Sequence, residues 1–380
     1  MILLEDGPDG APALFQAPKR LVVAWTADAV APALAEIEAA RAAGAWVAGW
    51  IGYEAGMALE PRLLPLIHSA LRDPLLVFGV YDVPHPGDAF LRNCAAEAAS
   101  AAMAPPTPLI GKADYLAAFA RLAEYIAQGD CYQVNLTFPM QSRLMSGTAA
   151  GLYAALAARQ PVGHGAFADP GLGPVVLSRS PELFFRLDAG GRIETRPMKG
   201  TAPRDPDPAR DRALAQALRD SEKTRAENLM IVDLLRNDIA RLCRPGTVKV
   251  PELFRVDSLS TVHQMISRVV GQLDRPARFD ELMRALFPCG SVTGAPKIRA
   301  MQIIAELEPH PRGAYCGAIG WMAPDGSAAF NVAIRTLRLF PDGDILMNVG
   351  GGVVMDSTAE GEWEEALWKA RFADLSPGSN

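Results

Sequence analysis

Lys199 stands in Thr195-Arg-Pro-Met-Lys-Gly-Thr-Ala-Pro-Arg204, between a strand-like run (Arg192 to Thr195) and a Pro/Asp-rich break (Pro203 to Pro208). A lysine at a rigid strand-to-loop exit can be desolvated enough to act as a neutral amine nucleophile. Alone it would read as a surface lysine in a turn; its companions change that reading. Glu182, in Ser178-Arg-Ser-Pro-Glu-Leu-Phe184, opens an apolar strand, where a carboxyl has a raised pKa and can serve as a general acid. Glu227 has Met230, Ile231 and Leu234 at i+3, i+4 and i+7, so its carboxylate needs a cation, a metal or a proton; a salt bridge to Arg236 or Arg241 is the structural alternative. Glu362, Glu365 and Lys369 share one helix face. With Glu227, these two carboxylates would make the hard, oxygen-only site that Mg2+ prefers; a solvated acidic face is the competing reading.

Weaker signals surround these. Gly350-Gly-Gly352 follows a strand (Ile345 to Val349) and would let an anion approach backbone N–H groups. Arg335, in Asn331-Val-Ala-Ile-Arg-Thr336, could fork onto a carboxylate. Gly290-Ser-Val-Thr-Gly-Ala-Pro-Lys297 fails the phosphate-loop spacing, because alanine and proline separate glycine from lysine. Ser291 to Gly294 still offer N–H groups or a hydroxyl ahead of a helix with Pro296 as its first residue. His263, in a Val-His-Gln-Met run, reads first as a hydrogen-bonded core histidine.

The elements that must position these groups are many and short. Strands are expected at Leu21 to Trp25, Trp46 to Ile51, Leu75 to Tyr81, Tyr132 to Met140, Val175 to Ser178, Leu183 to Leu187 and Val248 to Leu253. Helices are expected at Ala31 to Ala43, Asp114 to Gln128, about Ala209 to Leu242, Phe279 to Leu286, Pro296 to Leu307 and Glu360 to Ala373. Hairpin signals such as Pro324-Asp-Gly-Ser327 and Pro341-Asp-Gly-Asp344 point to an α+β fold: large, mostly antiparallel β-sheets packed in a sandwich, with helices outside. The alanine-rich stretch Asn93 to Pro108 reads as a linker, dividing an N-terminal subdomain (1–105) from a catalytic segment (109–377) interlocked with it in one globular unit.

Bulk composition narrows the partners. The chain has 380 residues and a formal charge of −6, with no basic block, which argues against nucleic acid. Five scattered cysteines without a CxxC pair fit a reducing cytosol better than a disulfide or zinc framework. Glu5 and Asp6 rule out a signal-peptide start, and no stretch reads as a membrane span, so a cytoplasmic location is expected.

Taken together, SPELFF, TRPMKGTAPR, RAENLMIVDLLRND, GSVTGAPKIRAM, YCGAIG, NVAIRT and GGGVVMDST followed by EWEEALWKA resemble the chorismate-utilising enzymes of the anthranilate synthase component I type. The resemblance covers roughly Lys112 to Phe372, with Trp50-Ile-Gly-Tyr-Glu-Ala-Gly56 extending it. It implies chorismate as substrate and, through Lys199, the branch that makes 4-amino-4-deoxychorismate for 4-aminobenzoate and folate synthesis by amino transfer of the transaminase class. Lys199 would add to C2 as the C4 hydroxyl departs, Glu182 would protonate that hydroxyl, and ammonia would then attack C4. Anthranilate synthases carry alanine in place of Lys199, and isochorismate synthases carry a lysine base in place of Gln133. By the same resemblance Glu227, Glu362 and Glu365 would hold Mg2+ against the ring carboxylate. Arg335, Tyr315 and the N–H groups of Gly350 and Gly352 would hold the enolpyruvyl side, with Ser291 and Lys369 near the ring. His263 matches a histidine linked to pyruvate elimination in anthranilate synthases. Thr224 replaces an acidic residue found three positions before Glu227 in other members. A separate glutamine amidotransferase would supply ammonia, since nothing here resembles a glutaminase. The alternatives are anthranilate synthase component I, or a non-catalytic chorismate- or tryptophan-binding regulator.

Overall fold

The structure is a computed structural model that describes residues 1–68, 71–259 and 262–375. The expected end of the catalytic segment at 377 lies outside the described residues.

Alternating apolar strands and glycine turns build two large sheets, antiparallel throughout the observed pairings. The first runs in the order Gly294–Ala295, Gln133–Ser146, Asp344–Val353, Thr336–Leu339, Val175–Ser180, His164–Ala168, Ile2–Leu4, Ala13–Phe15, His85–Pro86. The second carries Met198–Pro203, Val262–Gln272, Arg192–Arg196, Leu183–Leu187, Ala328–Val332, Ala318–Met322, Trp46–Ile51, Leu76–Tyr81 and Arg20–Ala24. Between them lies an apolar layer including Trp50, Phe15, Trp321 and Tyr81. Helices cover the sheets through a second, larger core. This is the α+β, antiparallel architecture read from the strand and hairpin pattern. No described helix is long and apolar enough to cross a membrane.

Several local expectations differ from what forms. The helix expected from Ala209 to Leu242 is two helices, Pro208–Asp220 and Glu222–Ala240. Ser221 is extended at the junction and its hydroxyl accepts from the Thr224 N–H, so a capping residue breaks the run without glycine or proline. The Asn93–Pro108 stretch is not a free linker. It begins in the helix Asp88–Glu97, and Ala102–Met103 and Thr107–Pro108 then clip onto the edge of the long Gln133–Ser146 strand. Gly350 to Gly352 do not form a loop after a strand; they continue Asp344–Val353, paired with Thr137, Leu136 and Asn135. Pro296 precedes its helix as the cap residue, and Lys297 begins it.

Candidate active site

Lys199 sits within the strand Met198–Pro203 rather than at a loop exit. Pro197 interrupts the path from Arg192–Arg196, and both segments pair with Val262–Gln272. The following Gly200 has φ +83, and a Cβ there would lie 2.2 Å from Thr224 Cγ2. Only glycine lets this bend pack against the junction of the two helices, which fixes where Lys199 points. Thr224, the residue that replaces an acidic one, therefore serves here as a packing surface. Burial pushes the Lys199 amine below its ordinary range, against the opposing pull of Glu227, Glu182 and Glu365. Desolvation of this kind favours the neutral amine, the form that can attack carbon.

Glu182 is 5 % exposed and lies just before Leu183–Leu187. Burial raises its carboxyl to about 7, with the Ser291 hydroxyl, Lys199 and Arg335 pulling the other way. Its Oε1 has no hydrogen-bond partner among the described residues. Ser291, on the turn Gly290–Val292, also meets Cys289 Sγ at 3.2 Å. Arg335 holds φ 51, a left-handed geometry unusual outside glycine, between Ala328–Val332 and Thr336–Leu339; its carbonyl accepts from Arg179 N–H. Such strain persists where neighbouring structure over-determines it, and it clusters at functional sites.

Glycines bring the remaining groups together. A Cβ on Gly352 would come within 2.9 Å of both Lys199 Nζ and Gln133 Nε2. On the neighbouring residue, a Cβ on Gly351 would lie 2.9 Å from Glu362 Oε2, 3.2 Å from Lys369 Nζ and 3.8 Å from Glu365 Oε1. Gly350 has a different reason to be bare: its Cβ would strike Leu136 O at 2.2 Å, so close strand packing excludes a side chain there. Lys369 Nζ donates to Gly350 O at 2.9 Å and pairs with Glu365 at 2.7 Å. The helix Ala359–Ala370 that carries these groups is fixed by Trp363 stacked on Phe138, with ring centroids 4.7 Å apart, a contact worth about 1 kcal/mol beyond its burial.

For a divalent ion, the donor set is all oxygen. Burial and the charge of Glu365 push Glu362 up from its usual range, a strain that a bound cation relieves. Glu227 is half-buried, and its charge is felt at Lys199. Neither Arg236 nor Arg241 pairs with it: Arg236 bonds Asp233, and Arg241 reaches Ala285 O. Among the described residues no three His, Cys, Asp or Glu side chains stand close enough to form a ready cage. Glu362 and Glu365 fit the habit of Mg2+, which takes one or two carboxylates and leaves the rest of its shell to water and substrate.

His263 is placed differently from the other candidates. It is buried on Val262–Gln272, with Nδ1 2.8 Å from Ser258 Oγ and Nε2 2.9 Å from Asp211. Both nitrogens are engaged there, and no described hydrogen bond joins it to Lys199 or Glu182.

Sequence reasoning missed the support beneath Tyr315. Arg312 is fully buried, bonds Glu308 through two nitrogens at 2.8 and 2.6 Å, and donates to Val292 O and Asn135 O. It thus ties the Ser291 turn to the Gln133–Ser146 strand. Glu54 accepts from the N–H groups of Arg312 and Gly313, and Asp73 accepts from that of Ala314. The loop that presents buried Tyr315 is consequently held by carboxylates from the distant N-terminal stretch. Glu54, the one carboxylate inside Trp50-Ile-Gly-Tyr-Glu-Ala-Gly56, was the available signal.

The description "chorismate binding enzyme" belongs to the family that matches residues 3–374. Aminodeoxychorismate synthase component 1 of Escherichia coli is 45% identical over 251 residues, 66% of this chain and 54% of that protein. The protein of that name in Salmonella typhimurium is 44% identical over 258 residues, 68% of this chain and 56% of its own length. Anthranilate synthase component 1 of Streptomyces coelicolor is 42% identical over 265 residues, 70% of this chain and 51% of that protein. The chain spans about half the length of these curated relatives. Among solved structures, anthranilate synthase component I from Streptococcus pneumoniae shares the fold with a TM-score of 0.80 at 24% identity, covering 95% of this chain and 91% of that one.

Proposed function

The chain belongs to the chorismate-binding enzyme family, and from that premise we propose that it converts chorismate and ammonia to 4-amino-4-deoxychorismate, an amino transfer of the transaminase class. The observation that carries this reading is the desolvated Lys199 amine beside the protonatable Glu182. The neutral Nζ attacks C2 of the ring, both ring double bonds shift toward C4, the C4–O bond breaks, and the Glu182 proton goes to the departing hydroxyl as water. Nζ is then a secondary ammonium and Glu182 a carboxylate. Ammonia attacks C4 with its lone pair, both ring double bonds shift back, and the C2–N bond breaks to return Lys199 as a neutral amine. The new C4 ammonium gives a proton to Glu182, which restores the starting state.

Orientation is the remaining task. Arg335, Tyr315 and the N–H groups of Gly350 and Gly352 would hold the enolpyruvyl carboxylate, with Ser291 and Lys369 at the ring. Fixing two carboxylates turns C2 toward one amine, and such positioning lowers a barrier by several kcal/mol. Glu362 and Glu365, with Glu227 as the third carboxylate, would hold Mg2+, which would supply charge compensation for the ring carboxylate. His263 would act at most through Asp211 and Ser258, orienting structure rather than touching the ring. The reading includes a glutamine amidotransferase partner as the source of ammonia. A cytoplasmic enzyme is supported by five free, buried cysteines. Relatives of both the aminodeoxychorismate and the anthranilate kind match the chain; Lys199 favours the former.

Incubating the protein with chorismate, ammonium and Mg2+ and identifying the product tests the reading. 4-Amino-4-deoxychorismate is expected, and blue-fluorescent 2-aminobenzoate would overturn it. Chelation should remove activity and readdition of Mg2+ should restore it; full turnover without divalent metal would reject the carboxylate assignment. Gly352→Ala probes the geometry. The three atoms nearest the added methyl are side-chain ends, Lys199 Nζ and Gln133 Nε2 and Cδ, so the backbone should remain while the amine is displaced. We expect kcat/KM to fall about 100-fold with little change in melting temperature; kinetics near wild type would mean that the amine does not work from this position.

A further inference from the structure

Glu54 lies on the short helix Tyr53–Ala58, is 2 % exposed, and stands far in sequence from every group assigned to the reaction. Its Oε1 accepts from the Arg312 N–H at 2.7 Å and its Oε2 from the Gly313 N–H at 3.0 Å. The Tyr53 N–H returns a bond to Gly313 O at 2.8 Å. One carboxylate thus grips two successive N–H groups at the start of the segment 312–317. Only the ionised form completes that hold, because a protonated carboxyl turns one of its oxygens into a donor.

The gripped segment positions both side chains assigned to the enolpyruvyl carboxylate. Tyr315 belongs to it. Cys316, at φ 61, donates its N–H to Ala333 O at 2.9 Å, and the Ala333 N–H donates to Gly317 O at 2.9 Å, so the segment is laced to the stretch that runs into Arg335. There is no slack beneath it: a Cβ on Gly313 would lie 2.1 Å from Asp73 Oδ2 and 2.2 Å from Arg338 Nη1. Close-packed parts transmit displacement, so a shift at Arg312 and Gly313 reaches Tyr315 and Arg335.

The ions around Glu54 are matched to one another. Arg312 pairs with Glu308 at 2.6 Å and Arg338 with Asp73 at 2.9 Å, while Tyr53, His68 and His310 line the same crevice as Glu54. Both arginines are thereby claimed by other carboxylates, and burial raises the Glu54 carboxyl to about 7. It can take up a proton near neutrality, at the loss of one of its two N–H bonds.

We infer that Glu54 is a positioning residue for chorismate: its carboxylate sets the segment that places Tyr315 and Arg335, so substrate affinity follows the ionisation of a side chain outside the site. This rests on the reading above, in which those two residues hold the enolpyruvyl carboxylate.

The test is calorimetric binding of chorismate to the Lys199→Ala protein with Mg2+ and without ammonium, which excludes turnover and adduct formation. Between pH 8 and pH 6 the Kd should rise about five- to tenfold, as the ionised form falls to about a tenth of the protein. Adding Glu54→Gln turns an NH2 donor toward one of the two N–H groups, so this variant should show the weak Kd at both pH values. Glu182, His68 and His310 are present in both proteins, so the difference between their pH curves belongs to Glu54. Glu54→Asp retains a titrating carboxylate and should retain a pH-dependent Kd even where its melting temperature falls. A Glu54→Gln protein that binds as tightly as its parent at pH 8, a pH curve parallel to the parent's, or a flat curve for Glu54→Asp would each overturn the inference. Failure of the Lys199→Ala protein with Glu54 intact to bind chorismate at either pH would defeat the reading of the site itself, and the inference with it.

Discussion

Lys199→Ala is expected to lower ammonium-dependent consumption of chorismate by at least about 10³-fold, roughly 4 kcal/mol of barrier, while the protein stays folded. The fold should tolerate the change because burial already disfavours the charged amine, and the side chain makes no described ion pair or hydrogen bond that would be orphaned. Lys199→Arg should be as inactive as the alanine variant, since a guanidinium keeps its proton and cannot add to carbon. This separates nucleophilicity from positive charge. A direct readout accompanies the rates. Wild-type protein given chorismate without ammonia should carry a covalent adduct on the Lys199 peptide by mass spectrometry, and Lys199→Ala should carry none. Normal turnover in the alanine variant would remove the covalent route.

Glu182→Gln is expected to reduce kcat by about 10²–10⁴-fold, the range for loss of a general acid. The pH profile should change as well. With Glu182 near 7 in the folded protein, kcat at saturating ammonia should fall as pH rises through that value. The glutamine variant should lose that limb. The same shift has a sign for stability. The folded pKa lies above the ordinary carboxyl value of 4.5, so the native state binds more protons than the unfolded chain between those values. Stability is therefore fully present below about 4.5 and declines as pH climbs to about 7. Glu182→Gln removes that slope and should melt above wild type at pH 8. Glu54, also raised to about 7 by burial, keeps its own slope in both proteins. Thermal melts across pH 4 to 8 check this; parallel curves for the two proteins would place the Glu182 titration elsewhere.

The sheet-rich architecture was legible because alternation and Asp-Gly turns are local signals. Lys199 and Glu182 were singled out because each breaks an apolar or rigid pattern. The break at Ser221 was not foreseen, since serine before a helical run reads as tolerated unless its hydroxyl is known to cap Thr224. Gly350 to Gly352 were read as following the strand Ile345 to Val349; their place inside the strand follows from packing against Gln133–Ser146, which no local window contains. Glu227 lies beside the buried stripe of Asn228, Ile231 and Leu235, one helical position off the pattern that nominated it. Arg312, Glu308, Glu54 and Asp73 form a network across more than half the chain, and the pairing of such partners is invisible to spacing. Gln133 entered the sequence reading only as an absent lysine; its unsatisfied amide becomes visible once burial is known.

The pairing of Trp46–Ile51 with Ala318–Met322 has a consequence for biosynthesis. As the polypeptide leaves the ribosome, the early strand must wait for its neighbour across some 270 intervening residues, holding apolar side chains such as Trp50 without their final cover. Contacts of such long sequence separation fold slowly and leave strand edges open in the interim. Production of this protein should therefore be limited by chaperone capacity and growth temperature more than by the stability of the finished fold.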